Sequence, residues 1–173
     1  AGYIGSIVAP ILMEHGYEVD VIDLLWFGNY LPEDVKVIQR DLLDCGIEDL
    51  EKYEQVIFLG GVSNDPMAEY SPAKNFMYNA ALPAFLAFYA KKAGVKRYIF
   101  ASSCSVYGYT MNQLCDENAP VACVYPYGIS KLQGENGIFQ LQDNQFSVIS
   151  LRQGTVCGHS PRMRMDLIVN TMF

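Results

Sequence analysis

The chain has 173 residues, of which 51% are hydrophobic and 18% charged, so it can bury one substantial core and is a single domain by length. Its formal net charge of −7 argues against nucleic acid as a partner, because phosphate binding needs a basic surface. No apolar run approaches the length of a membrane span and no signal peptide is visible, so no membrane partner is expected. Cys45, Cys104, Cys115, Cys123 and Cys157 form no Cys-x-x-Cys, and their odd number makes no disulfide framework. A reduced, cytoplasmic compartment is the simplest expectation. His15 and His159 are too few and too far apart to nominate a metal site, and none is expected.

Ala1-Gly2-Tyr3-Ile4-Gly5-Ser6 opens an apolar run, Ile7 to Met13, which continues to His15-Gly16 and reads as a helix closed by Gly16. Glu18 to Asp23 then alternates polar and apolar residues and ends on an acid about 20 positions after the glycines, the spacing of a dinucleotide-binding βαβ unit. The Asp23 carboxylate can accept both ribose hydroxyls of NAD and would repel the 2′-phosphate of NADP, so NAD is the expected cofactor. The alternative is an ordinary tight turn and a surface Asp. Val35, Val37 and Ile38 make a short strand running into Arg40-Asp41-Leu42-Leu43-Asp44, where Asp41 could cap a helix.

Gln55 to Gly60 reads as the next buried strand, and Gly60-Gly61 would let backbone approach a pyrophosphate or ribose. A long apolar helix follows, roughly from Pro72 to Ala93, stopped by Gly94, and Pro83 inside it predicts a kink or break. Asn79 on that helix needs a buried hydrogen-bond partner. Phe76, Phe85, Phe88 and Tyr89 fall at helical spacings and read as core or dimer surface. Arg97 to Ser102 is a strand whose end delivers Ser103. Tyr125-Pro126 starts a helix bearing Tyr127 and Lys131, and Phe146 to Arg152 is a further strand followed by Gln153-Gly154-Thr155. Strand and helix alternate without repeats or linkers, which predicts an α/β fold with a parallel sheet and ligands at the carboxyl ends of its strands.

Tyr127 and Lys131 are four residues apart, so on a helix they share one face. The ammonium would favour tyrosinate and let the phenol act as a base near neutral pH, with a hydroxyl such as that of Ser103 completing the hydrogen-bond chain. The pair alone carries little, since 12 tyrosines should yield roughly half a Tyr-x-x-x-Lys by chance. The glycines, Asp23 and the Ser103 segment supply the context.

On these residues the chain resembles, over essentially its whole length, the Rossmann half of an extended short-chain dehydrogenase/reductase, the family of NAD-dependent nucleotide-sugar epimerases and dehydratases. Gly2 and Gly5 match the second and third glycines of its Gly-x-x-Gly-x-x-Gly fingerprint, and the first glycine and the strand before it are expected upstream of Ala1. The resemblance implies a doubly wound parallel sheet lacking its first strand, with the NAD-binding domain at 1–157 and the start of the substrate-binding region at 158–173. It implies cofactor contacts from Gly2, Tyr3, Ile4, Gly5, Asp23, Asp41 at the adenine amine, Leu42, Leu59, Gly60, Gly61, Asn79, Ser102, Tyr127, Lys131 and Gln153. Substrate contacts are implied for Ser103, Ser105, Tyr127, Thr155, Arg162 and Arg164, and a homodimer through the long helix and the Tyr127 helix.

In the mechanism so implied, Tyr127 takes a proton from a sugar hydroxyl, normally at C4, as hydride leaves the same carbon. Ser103 positions that oxygen, and Lys131 holds the cofactor ribose. Dehydratases of the family usually place an Asp-Glu pair, or a Glu two positions on, after the catalytic Ser or Thr. Cys104 and Ser105 stand here instead, so simple epimerisation is the first expectation. The alternatives are a dehydratase, an epimerase-reductase using Cys104 and His159 for proton transfer, and a non-catalytic NAD-binding sensor or scaffold. The 173 residues alone are expected to be poorly stable and inactive.

Overall fold

Gly5–Glu14 forms helix α1 in the computed structural model, which describes residues 1–111 and 113–172. Its C-cap is His15, and Gly16 follows at φ +85°, the left-handed conformation that ends a helix without a Cβ clash. Asp20–Asp23 is strand β1, paired in parallel with β2, Lys36–Gln39. Ala9 of α1 packs with Leu31 and Val35 into a small core, against which Met13, Val21 and Val37 lie partly buried. The expected helix and both expected strands are therefore present, each within a few residues of the sequence reading.

Strand β3, Gln55–Phe58, pairs in parallel with β4, Arg97–Ser103, and β4 with β5, Ser147–Gln153. Phe58, Tyr98, Phe100 and Phe146 are buried together, with ring centroids 6.0 to 6.5 Å apart from neighbour to neighbour. A short helix α2, Asp65–Tyr70, precedes the long helical run, which is built of α3, Pro72–Phe76, a π turn, Met77–Ala81, and α4, Leu82–Lys92. The break expected at Pro83 thus takes the form of a π turn. Proline has no N–H to give the Asn79 carbonyl, and its ring would strike that oxygen, so the preceding turn widens. Helix α5, Pro126–Phe139, crosses this segment closely: a Cβ on Gly134 would lie 2.6 Å from the Asn79 carbonyl oxygen.

The chain forms two compact units, Ala1–Cys45 with Thr155–Phe173, and Gly46–Gly154. This division differs from the functional one expected at 157/158, and Phe173 lies outside the described residues. Within the first unit the sheet order is β1-β2, and within the second β3-β4-β5. A doubly wound sheet of order 3-2-1-4-5-6 leaves these two orders when its first strand is taken away. Among the described residues β1 pairs only with β2, and β3 only with β4. A strand edge without a partner forgoes ladder hydrogen bonds, each worth about 0.5–1.5 kcal/mol net. A chain extended upstream of Ala1 by an apolar strand ending in glycine should therefore melt at higher temperature and over a narrower range in calorimetry. Identical melting of the extended and unextended chains would contradict the placement of Gly2 and Gly5 after a central strand.

Candidate active site

Strand β4 ends at Ser103, whose hydroxyl caps the 3-10 turn Cys104–Tyr107 by accepting from the Ser105 amide at 3.1 Å. The same hydroxyl donates to Ser105 Oγ at 3.0 Å. Gly108 closes the turn at φ +72°, and a Cβ there would meet the Ala122 carbonyl oxygen at 2.3 Å. The turn lies against the start of α5: a Cβ on Gly128 would sit 2.6 Å from the Ser105 carbonyl oxygen. The segment carrying Ser103 and Ser105 is thereby brought against the residue next to Tyr127.

Pro126 opens α5 where a missing N–H costs nothing, and places Tyr127 in the first turn. One turn on, Lys131 is only 4% exposed, and its ammonium donates to the Ala101 carbonyl at 2.9 Å. Nζ lies 4.9 Å from the centre of the Phe100 ring and 5.7 Å from that of Tyr127, so the shared face expected from the spacing exists. Burial lowers the Lys131 pKa to about 8.

A chain of buried amides fixes the first turn of α5. Asn79 Nδ2 donates to the Val62 carbonyl at 2.8 Å, while its Oδ1 accepts from the Val62 amide at 3.1 Å. Asn79 Nδ2 also donates to Asn75 Oδ1 at 2.8 Å. Ser130 Oγ donates to that same Oδ1, and Asn75 Nδ2 donates to the Pro126 carbonyl at 3.0 Å. Asn79 thus has the buried partner that the sequence demands. Gly61 has φ +135°, and a Cβ on it would overlap Asn79 Oδ1 at 2.2 Å. The glycine after Leu59 and Gly60 is required by this network as well as by backbone conformation. Asn75 and Ser130 were not legible as site residues, although the i, i+4 spacing of Asn75 and Asn79 on an apolar helix is a signal that could have found them. Gln153 ends β5 in register with Ser103, and Ser102 lies beside Arg152.

In the other compact unit, Gly2, Tyr3 and Ile4 precede Gly5, the first residue of α1, whose first turn has no acidic residue and no side-chain cap. Space around Gly2 is open: a Cβ there would have nothing within 4 Å beyond its chain neighbours. The Tyr3 hydroxyl donates to the Gly158 carbonyl at 2.7 Å. Asn170 Nδ2 donates to that hydroxyl at 3.1 Å, while Ser160 Oγ donates to the Tyr3 carbonyl at 2.8 Å and lies 2.9 Å from Ser6 Oγ. Asp23 accepts from the Leu25 amide at 2.7 Å and from the Ala1 nitrogen at 2.9 Å. Asp41 caps the 3-10 helix Leu42–Asp44 by accepting from Leu43, so its capping role is present in the structure. Thr155 is exposed, Arg162 stacks over the Phe27 ring at 3.9 Å, and Arg164 forks onto Asp166.

Each unit by itself carries groups that suit part of a dinucleotide. The uncapped start of α1 beside an open glycine suits a pyrophosphate. Ser102 Oγ is buried without a hydrogen-bond partner among the described residues, and Lys131 has three N–H groups with one acceptor there, Ala101. Both suit a hydroxyl-bearing ligand.

Parallel strand order, glycine-led helix, strand-end acid and the Tyr127/Lys131 face define a dinucleotide-binding α/β protein. The model of the NAD dependent epimerase/dehydratase family matches residues 1–172, and the chain belongs to that family. It is 32% identical over 180 residues to the UDP-glucose 4-epimerase of Bacillus subtilis (strain 168), covering 95% of this chain and 53% of that protein. It is 31% identical to UDP-glucose 4-epimerase 3 of Oryza sativa subsp. japonica, covering 88% of this chain and 46% of that one. The structure of MoeE5 in complex with UDP-glucose and NAD superposes with a TM-score of 0.87 at 27% identity, over 99% of this chain and 56% of that one. The chain therefore has the Rossmann-like fold and spans about half the length of these relatives.

Lys131 yields a pH test. Its folded pKa of about 8 lies below the ordinary lysine value of 10.5. Between those values the unfolded chain keeps a proton that the folded chain has lost, so the Lys131 contribution to stability rises with pH across the window. Below it the buried charge opposes folding by up to about 3 kcal/mol, at about 1.4 kcal/mol per pH unit. Lys131→Met should be more stable than the parent to urea at pH 7, with the difference shrinking by pH 10. A difference independent of pH would show that Lys131 is not buried as a cation.

Proposed function

We propose that the full-length protein is an NAD-dependent epimerase that inverts C4 of a nucleotide sugar through transient oxidation at that carbon. The observation that carries this reading is the Lys131 ammonium buried one helical turn from Tyr127, beside the turn capped by Ser103, in a chain of this family. The names of the relatives, UDP-glucose 4-epimerases, and the UDP-glucose bound to MoeE5 support a UDP-sugar as substrate.

Bound NAD supplies the acceptor for the hydride that leaves C4 and returns to the opposite face. Tyr127 takes the proton of the C4 hydroxyl and later gives it back. Lys131 is charged below about pH 8 and favours the ionised phenol. Ser103, by turning its hydroxyl from Ser105 to the sugar oxygen, orients that oxygen. Asp23 accepts the adenosine ribose hydroxyls, Asp41 the adenine amine. Gly2, Tyr3, Ile4 and Gly5 offer backbone to the pyrophosphate, while Leu42, Leu59, Gly60, Gly61, Asn79, Ser102 and Gln153 border the cofactor. Ser105 and Thr155 face the sugar. Arg162 and Arg164 meet the diphosphate in competition with Phe27 and Asp166. No carboxylic acid follows Ser103 at Cys104 or Ser105, which favours epimerisation over dehydration.

Among the described residues no helix is long and apolar enough to cross a membrane. A cytoplasmic homodimer is part of the proposal. Phe76, Phe85 and Phe88 along the α3 to α4 run, and Ile129 and Phe139 on α5, are exposed, so the first three are surface and not core. A second copy would cover them.

Two experiments test the roles. Tyr127→Phe in the full-length protein should leave NAD binding nearly intact and reduce turnover on the order of a hundredfold or more, as for loss of a general base. Unchanged turnover would place the base elsewhere. Titration with both cofactors should show tighter binding of NAD than of NADP. Equal or tighter NADP binding would remove Asp23 from the ribose.

A further inference from the structure

We propose that Arg152 is a positioning residue for this reaction, holding the turn that carries Ser103 at a fixed separation from the helix that carries Tyr127 and Lys131. The inference rests on the functional reading above. Arg152 lies on β5 in register with Ser102, one position before the partner of Ser103. Its Nε donates to both carboxylate oxygens of Glu135, at 3.1 and 3.2 Å, and Nη2 donates to Oε2 at 2.8 Å. Nη1 donates to the Tyr107 hydroxyl at 3.1 Å and reaches the Glu117 carbonyl at 3.5 Å. Ser150 Oγ donates to Glu135 Oε1 at 3.1 Å.

The two side-chain partners of Arg152 belong to segments that carry the chemistry. Glu135, 2% exposed, follows Tyr127 by two i, i+4 steps through Lys131, so the three share one face of α5. Tyr107 is the last residue of the turn that Ser103 caps, and Glu117 lies in the segment between that turn and α5. A buried ion pair is roughly neutral for stability against apolar residues of the same volume. What a guanidinium offers beyond charge is a rigid planar fork of donors. Here the fork ties the β5 strand to α5 on one side and to the Ser103 turn on the other.

Lysine at this place keeps the charge for Glu135 but has no planar fork to hold Tyr107 at the same time. Tyr107→Phe removes the oxygen and keeps the ring. In the full-length protein with UDP-glucose as probe, Arg152→Lys and Tyr107→Phe should each lower kcat by roughly ten- to a hundredfold, the scale of a misplaced reacting group, with KM unchanged. Amide exchange should quicken at Ser105, Gly108 and Ala122 while the strand amides of β4 and β5 keep their protection. Wild-type protein that does not epimerise would overturn the functional reading and this inference with it. Wild-type turnover with both variants at full kcat would overturn the positioning role alone. A kcat loss accompanied by faster exchange throughout β4 and β5 would also overturn it, assigning Arg152 to stability.

Discussion

The burial of the Lys131 ammonium constrains everything around it. A cation removed from water must keep oxygen or π density close by, and here the Ala101 carbonyl and the rings of Phe100 and Tyr127 supply both. Ala101 and Phe100 belong to β4, Lys131 and Tyr127 to α5. The cost of the charge is therefore reduced only while α5 lies in one position on β4, and that position sets where the phenol stands relative to the end of the strand. Burial still lowers the Lys131 pKa to about 8, so these contacts do not offset the whole cost of the charge, and a residue kept at such a cost is expected to serve chemistry and not stability.

Close helix packing holds that position. The π turn before Pro83 and the absence of a side chain at Gly134 allow α5 to approach the Asn79 carbonyl, and Gly128 allows the Ser103 turn to approach α5. A Cβ at either glycine would meet backbone at 2.6 Å, which only a shift of a whole element could relieve. The buried amides of Asn75 and Asn79 then link the backbone at Val62 to the first turn of α5. Loop, helix and strand end are held by directional bonds that leave few alternative arrangements, which is what a proton acceptor placed within hydrogen-bond reach requires.

Local signals explain what could be read from the sequence. Gly16, Gly94 and the alternation around Val21 mark element ends by backbone preference. The Tyr127 and Lys131 pair was legible because i, i+4 spacing fixes a shared face whatever else the chain does. Pro83 announced a break, but whether the helix would kink, stop or widen into a π turn depends on α5, which is distant in sequence. The same holds for Asn75 meeting Ser130 and for Arg152 meeting Glu135: charged and amide side chains read as surface until a second element is known to cover them. Asp41 shows the converse. Its capping bond is local and visible, whereas any part it takes in recognising adenine depends on a ligand that the sequence reaches only through resemblance.

The central claim is that hydride leaves C4 of the sugar and returns to the same carbon while Tyr127 handles the proton. The most direct measurement is to incubate the full-length protein and NAD with UDP-glucose carrying deuterium at C4, and to follow the product by NMR. The account predicts the C4 epimer with its deuterium retained at C4. An epimer that has exchanged that deuterium for solvent hydrogen, or a sugar left uninverted, would contradict it.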